Sequence, residues 1–138
     1  MLNRLKNKYP HAISWSFGDN EKLADELAML VVQGKKTATC SSLSGFFSDS
    51  EIPVIGGFNI ILNSKQEPIC VIRTRSLRLI RFSEITQELA AKEGEGDLSL
   101  AYWQQEHKEF FSREGYFSAD MELVFEEFEL IELCNNSY

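Results

Sequence analysis

The sequence predicts an α+β fold: a small, strongly curved mixed sheet or barrel carrying flanking helices. Three observations predict it. Helical and strand-like apolar periodicities alternate along the chain in the order α, β, α, β. The last strand-like segment, Met121 to Leu133, shifts its apolar phase by one residue midway, as a bulge in a long bent strand would require. And 138 residues leave room for one core rather than two, so one domain spanning 1–138 is expected.

The elements follow in order. Ala24, Leu27, Ala28 and Val31 recur at i, i+3, i+4 and i+7 and define an amphipathic helix, with Ser16 and Asp19 as candidate N-caps. Gly34, free to take positive φ, ends it, with the Lys35 and Lys36 cations beside the negative helix end. Thr37 to Ser42 is small and hydroxyl-rich and leads into a loop through Gly45, Phe46 and Phe47 to about Glu51. Phe58 to Leu62 and Pro68 to Thr74 read as the strands of a hairpin, and β character resumes from Leu77 to Phe82. Ser83 is placed to cap a short helix reaching about Ala91. Asp97 is placed to cap the next helix, whose Leu100, Trp103, His107 and Phe110 or Phe111 form one core-facing stripe. In the final strand Met121, Leu123 and Phe125 share a side, but beyond Glu126-Glu127 the apolar positions become Phe128 and Leu130. An extra, bulged residue would return that set to the core face.

Composition excludes several functions. The longest apolar runs, such as Ala28 to Val32, fall far short of the roughly 20 residues that span a bilayer, and Met1 to Pro10 has no apolar signal core. A soluble, cytoplasmic protein with no membrane partner is expected. Cys40, Cys70 and Cys134 form no Cys-x-x-Cys pair, and with only His11 and His107 beside them a closed zinc site would need nearly every candidate to converge. No metal and no cofactor are expected, and no nucleophile elbow, phosphate loop or dinucleotide fingerprint is present. The net charge of −7 is unevenly spread: residues 1–82 hold 11 Lys+Arg against 7 Asp+Glu, and residues 83–138 hold 3 against 14. A chain that coats nucleic acid would be basic overall, so any such contact here is local.

Three segments could carry chemistry. Lys35-Lys36-Thr37-Ala38-Thr39 places ammonium and hydroxyl groups where a helix becomes a strand, and a lysine whose pKa is lowered by burial can activate a hydroxyl. The plainer account is that the lysines neutralise a helix end and the threonines suit a strand. Lys36 and Thr39 are three apart, so a regular strand would send them to opposite faces and only a turn or bulge would bring them together. Glu93-Gly94-Glu95-Gly96-Asp97 leaves the backbone free to aim a carboxylate into a cleft, or is an exposed acidic cap. Arg73, Arg75, Arg78 and Arg81 could bind phosphate or stack on a base, or could form surface ion pairs with the acidic half. Trp15, Phe46, Phe47, Tyr102 and Trp103 could stack on a planar ligand; core packing accounts for Trp103, the loop pair Phe46 and Phe47 is harder to explain by packing, and His107 reads as a satisfied core histidine on the Trp103 stripe.

Taken together, Gly34-Lys35-Lys36-Thr37-Ala38-Thr39, the run from Gly94 to Trp103, His107 with Phe110-Phe111, and the strand ending Phe128-Glu129 resemble the ASCH domain family over nearly the whole chain. The resemblance implies a PUA-like β-barrel with flanking helices and a link to RNA or nucleosides. Some bacterial members are amidohydrolases acting on acetylated cytidine; others are ribonucleases. By motif, the amidohydrolase trio falls on Lys36, Thr39 and Glu93, with Glu95 a close competitor for the last place. In that scheme Thr39 is the nucleophile, Lys36 takes its proton, and the glutamate activates water or steadies the lysine. Lys35, Thr37, Arg73, Arg75, Glu95, Phe46 and Trp15 complete the expected substrate-binding set. Gly56-Gly57 stands where relatives often have Gly-Asp, and the chain is longer than the compact amidohydrolases. The expected activity is a metal-independent hydrolase for a modified nucleoside or small amide. The alternative is a non-catalytic module that holds single-stranded RNA with Arg73, Arg75, Lys35 and the loop aromatics, or a ribonuclease.

Overall fold

Five strands form the body of the molecule, seen in a computed structural model that describes residues 2–49 and 51–134. In chain order the elements are α1 (Leu2–Lys8), β1 (Ile13–Trp15), α2 (Glu21–Val32), β2 (Ala38–Ser42), α3 (Leu43–Ser48), β3 (Phe58–Leu62), β4 (Pro68–Arg81), a 3-10 turn (Phe82–Glu84), α4 (Gln87–Lys92), α5 (Leu100–Arg113) and β5 (Glu122–Leu133). The strands lie in the order β1-β3-β4-β5-β2. β1 runs parallel to β3 and every other pair is antiparallel, giving a mixed, curled half-barrel of the α+β class. No helix among the described residues is long and apolar enough to cross a membrane.

Both faces of the sheet are covered, which explains the continuous apolar runs of its central strands. Ile60, Leu62 and Val71 face Leu5 of α1, while Ile61, Cys70, Ile72 and Phe128 face Ala28 and Val31 of α2. Further along, Ile80, Leu123 and Phe125 pack under Leu89, Ala90, Trp103 and Phe111 of α4 and α5. The stripe expected of α5 is therefore met.

Several local expectations are corrected. Asn20, not Ser16 or Asp19, caps α2: its side chain accepts from the Leu23 N–H, while Asp19 takes Arg113 at 2.9 Å. Ser99, not Asp97, caps α5, and Asp97 instead accepts from the Ser99 N–H. Thr86, not Ser83, caps α4. The expected loop at Gly45 to Phe47 is the helix α3, held by Ser42, whose hydroxyl accepts from the Gly45 N–H. The slip near Glu126-Glu127 does coincide with a bulge in the β4–β5 ladder, but the extra residue is Arg75 of β4. β5 itself stays in phase there: Phe125 and Phe128 are buried on opposite faces, and Leu130 is exposed.

Candidate active site

The turn after α4 and the segment between α2 and β2 are joined main chain to main chain. Thr37 donates from both its N–H, at 2.8 Å, and its hydroxyl, at 3.3 Å, to the Lys92 carbonyl. Gly94 has φ +74°, and a Cβ there would lie 2.3 Å from the Lys35 carbonyl oxygen. Only glycine allows this approach. It brings the Lys36 side chain under Glu93 and Glu95.

Lys36 is 2% exposed and Glu93 1%. The Lys36 Nζ lies 3.1 Å from Glu95 Oε2 and 3.5 Å from Glu93 Oε1, and donates to the Glu93 carbonyl at 3.4 Å. It also stands 5.5 Å over the Phe17 ring. Glu93 is held from three sides: its Oε2 accepts from the Trp103 indole N–H at 2.7 Å, and its Oε1 faces both Lys36 and His107 Nε2, the latter at 3.3 Å. His107 stacks on Trp103, with centroids 4.2 Å apart, and its Nδ1 donates to the Trp103 carbonyl.

The ionisation states follow. Burial alone would raise the Glu93 pKa, but His107 and Lys36 overcome it and hold the carboxyl down at about 2. Burial pulls Lys36 down, yet Glu93 and Glu95 reverse it and leave the ammonium favoured beyond its ordinary value. His107 is shifted upward in the same way, burial being outweighed by Glu93. The Cys40 thiol is pushed well up by burial and by the Glu93 charge. The two carboxylates thus favour the Lys36 ammonium, which works against the proton-accepting role expected of its free amine toward Thr39.

Lys36 precedes β2 instead of lying within it, so the face problem posed by its spacing from Thr39 does not arise. β2 is an edge strand, and the cleft runs along that edge, drawing side chains from both faces of the sheet. Its inner compartment, about 80 Å³, is lined by Lys36, Thr39, Cys40, Glu93, Glu95 and His107, among others. The outer compartment, about 290 Å³, shares Phe17, Gly18, Thr39, Cys40 and Phe110 with it and adds Trp15, Phe46, Glu114 and Glu126. The structure therefore gathers Lys36, Thr39, Glu93, Glu95, Phe46 and Trp15 along one cleft.

Four expected binding residues are not among those lining it. Lys35 and Thr37 are exposed. Arg73 donates to the Gly56 carbonyl at 3.0 Å and lies 5.3 Å over the Phe58 ring. Arg75, in the bulge, pairs with Glu129 at 2.8 Å on the exposed surface, the ordinary fate of a charge run. Two residues apart, Arg73 and Arg75 would share a face of a regular strand, and the bulge at Arg75 breaks that pattern.

The sequence reasoning missed Cys40, His107 and Glu126 as cleft residues. Cys40 Sγ, a Glu93 oxygen and a His107 nitrogen lie within 4.8 Å of one another, a donor set of metal-binding type. A cation there would meet the Lys36 ammonium on the same Glu93 oxygen. Glu126 is 4% exposed on β5. Its Oε2 accepts from the Thr74 hydroxyl at 2.7 Å, Thr74 Oγ1 accepts from Asn59 Nδ2 at 3.1 Å, and Asn59 Oδ1 accepts from the Trp15 indole at 2.9 Å. An acid interrupting the run between Phe125 and Phe128 was the one signal in the sequence for it.

The ASCH domain model matches residues 13–132. The ASCH domain structure from Lactobacillus crispatus is 35% identical, with a TM-score of 0.82 over 94% of this chain and 85% of that one. A structure from Enterococcus faecalis is 31% identical, with a TM-score of 0.80 over 96% of this chain and 86% of that one. The hypothetical protein PH0355 shares the fold at 15% identity and a TM-score of 0.53, over 87% of this chain and 97% of that one. No curated protein matches the chain.

Proposed function

The chain belongs to the ASCH domain family, and on that footing we propose that it hydrolyses a small amide, of the kind borne by an acylated nucleoside. The observation that carries the reading is the enclosed Lys36 ammonium, gripped by Glu93 and Glu95 in the cleft that Thr39 also lines. An acyl transfer needs a nucleophile and a fixed positive charge where the carbonyl oxygen turns anionic. Thr39 supplies the hydroxyl, and Lys36 supplies a charge already desolvated and oriented by its carboxylates. Glu93, tied by Trp103 and His107, holds the ammonium in place. Trp15 and Phe46 give the outer compartment flat apolar walls suited to a base-like ring.

N4-acetylcytidine is the direct probe, with cytidine release as the readout. Turnover by the wild type is expected, with Lys36→Met and Thr39→Val each lowering kcat by about 10²-fold or more. A wild type that releases no cytidine, but binds single-stranded RNA with steep salt dependence or cleaves it, would overturn the hydrolase reading in favour of an RNA-binding or ribonuclease role.

A further inference from the structure

We propose that Glu126 is the catalytic proton acceptor for the Thr39 hydroxyl, an inference that rests on the hydrolase reading above. Thr39 and Glu126 are register partners across β2 and β5. Directly opposed residues in an antiparallel pair project to the same face with Cβ atoms roughly 5 Å apart. Both side chains line the outer compartment.

The charged groups of the motif segments are committed to one another. Lys36 is an ammonium, and Glu93 and Glu95 are occupied in holding it. Glu126 has no ion-pair partner among the described residues. One of its oxygens is fixed by Thr74, Oε1 has no hydrogen bond among the described residues, and the residue lines the cavity. The buried chain from Trp15 through Asn59 and Thr74 sets the rotation of the carboxyl. Burial raises its pKa to about 7, with the Thr74 hydrogen bond and the Lys36 charge opposing. A base poised near neutrality serves proton transfer best. The charged or titratable groups sharing the compartment are Glu114 of α5's C-cap, Asp49 after α3 and Cys40 of β2, with Lys36, Glu93, Glu95, Glu106, His107 and Arg113 in the adjoining one.

The chemistry balances without a further reagent. As Thr39 Oγ forms its bond to the amide carbon, its proton passes to Glu126, and the carbonyl π pair moves onto the oxygen facing Lys36. When that pair returns, the C–N bond breaks and the departing nitrogen takes the proton from Glu126. Water then attacks the Thr39 ester, its proton going to Glu126. Collapse breaks the Oγ–C bond, the proton returns to Oγ, and acid and amine are the products.

The test is the pH dependence of kcat and kcat/KM for N4-acetylcytidine in wild type, Glu126→Gln and Glu126→Asp. The expected result is an acid limb near pH 7 in the wild type, and a kcat lower by about 10²–10⁴-fold in Glu126→Gln with the limb gone and KM little changed. Glu126→Asp, which keeps a base, is expected to recover part of the rate and the limb. A Gln variant with wild-type kcat and an intact limb overturns the assignment while leaving the hydrolase reading standing. Equal losses in the Asp and Gln variants also overturn it, since a purely structural role would not distinguish them. A wild type without turnover overturns the hydrolase reading and this inference with it.

Discussion

Glu93 and Glu126 are both buried carboxyls, yet their surroundings drive them in opposite directions. Glu93, with its folded pKa depressed to about 2, adds stability that is present above its unfolded value of 4.5 and lost as pH falls through that window. Glu93→Gln would leave the Lys36 ammonium with Glu95 as its remaining carboxylate and take the facing charge away from His107. Breaking such a buried arrangement costs roughly 3–5 kcal/mol, which a urea midpoint at pH 7 would register as a marked loss. Glu126 has the reverse sign: its folded pKa is raised, so its contribution is fully present below 4.5 and is lost as pH rises to about 7. Glu126→Gln is therefore expected to melt several degrees above the wild type at pH 8, at roughly 4 °C per kcal/mol, and to lose that advantage near pH 4. Thermal denaturation at the two pH values checks it. A carboxyl retained at such a cost suits a group kept for chemistry.

At the scale of elements, the turn after α4 carries the site. Gly94→Ala combines a φ of +74° with a Cβ driven against the Lys35 carbonyl, so the turn that carries Glu93 and Glu95 over Lys36 must move. Gly34→Ala, at φ +77°, meets nothing within 4 Å and costs only the backbone strain of about 1–2 kcal/mol. The first variant is expected to lose both stability and turnover, the second stability alone, as denaturation and cytidine release would show. Although α1 and β1 are too short to show an apolar pattern, the longer helices α2 and α5 and the strands β3 to β5 were legible in the sequence because their patterns are strong. The caps were not: Ser16, Asp19 and Asn20 are all competent cap residues, and the extended backbone at Asn20 decides among them. The Gly45–Phe47 segment read as a loop because the residue that caps it, Ser42, also ends a strand.

Across the whole molecule, the half-barrel was legible down to a bulge at the level of Glu127, and the owner of the extra residue was not. Periodicity in one strand cannot tell a shifted partner from a change of covered face, and here Phe125 and Phe128 serve two different layers. Glycine and charge marked the segments of Lys36, Thr39, Glu93 and Glu95, the resemblance singled out the residues, and the structure lines one cleft with them. Glu126 was hidden, since its importance arises from a cross-strand neighbour 87 positions away, the Thr39↔Glu126 pair. Arg73 and Arg75 looked like a binding face only while the ladder was taken as regular.

The most direct measurement is intact-protein and peptide mass analysis of the wild type quenched during turnover of N4-acetylcytidine. An acetyl group on Thr39, absent from Thr39→Val, is the result this account predicts. Turnover with no acylated Thr39, and an undiminished rate in Thr39→Val, would contradict it.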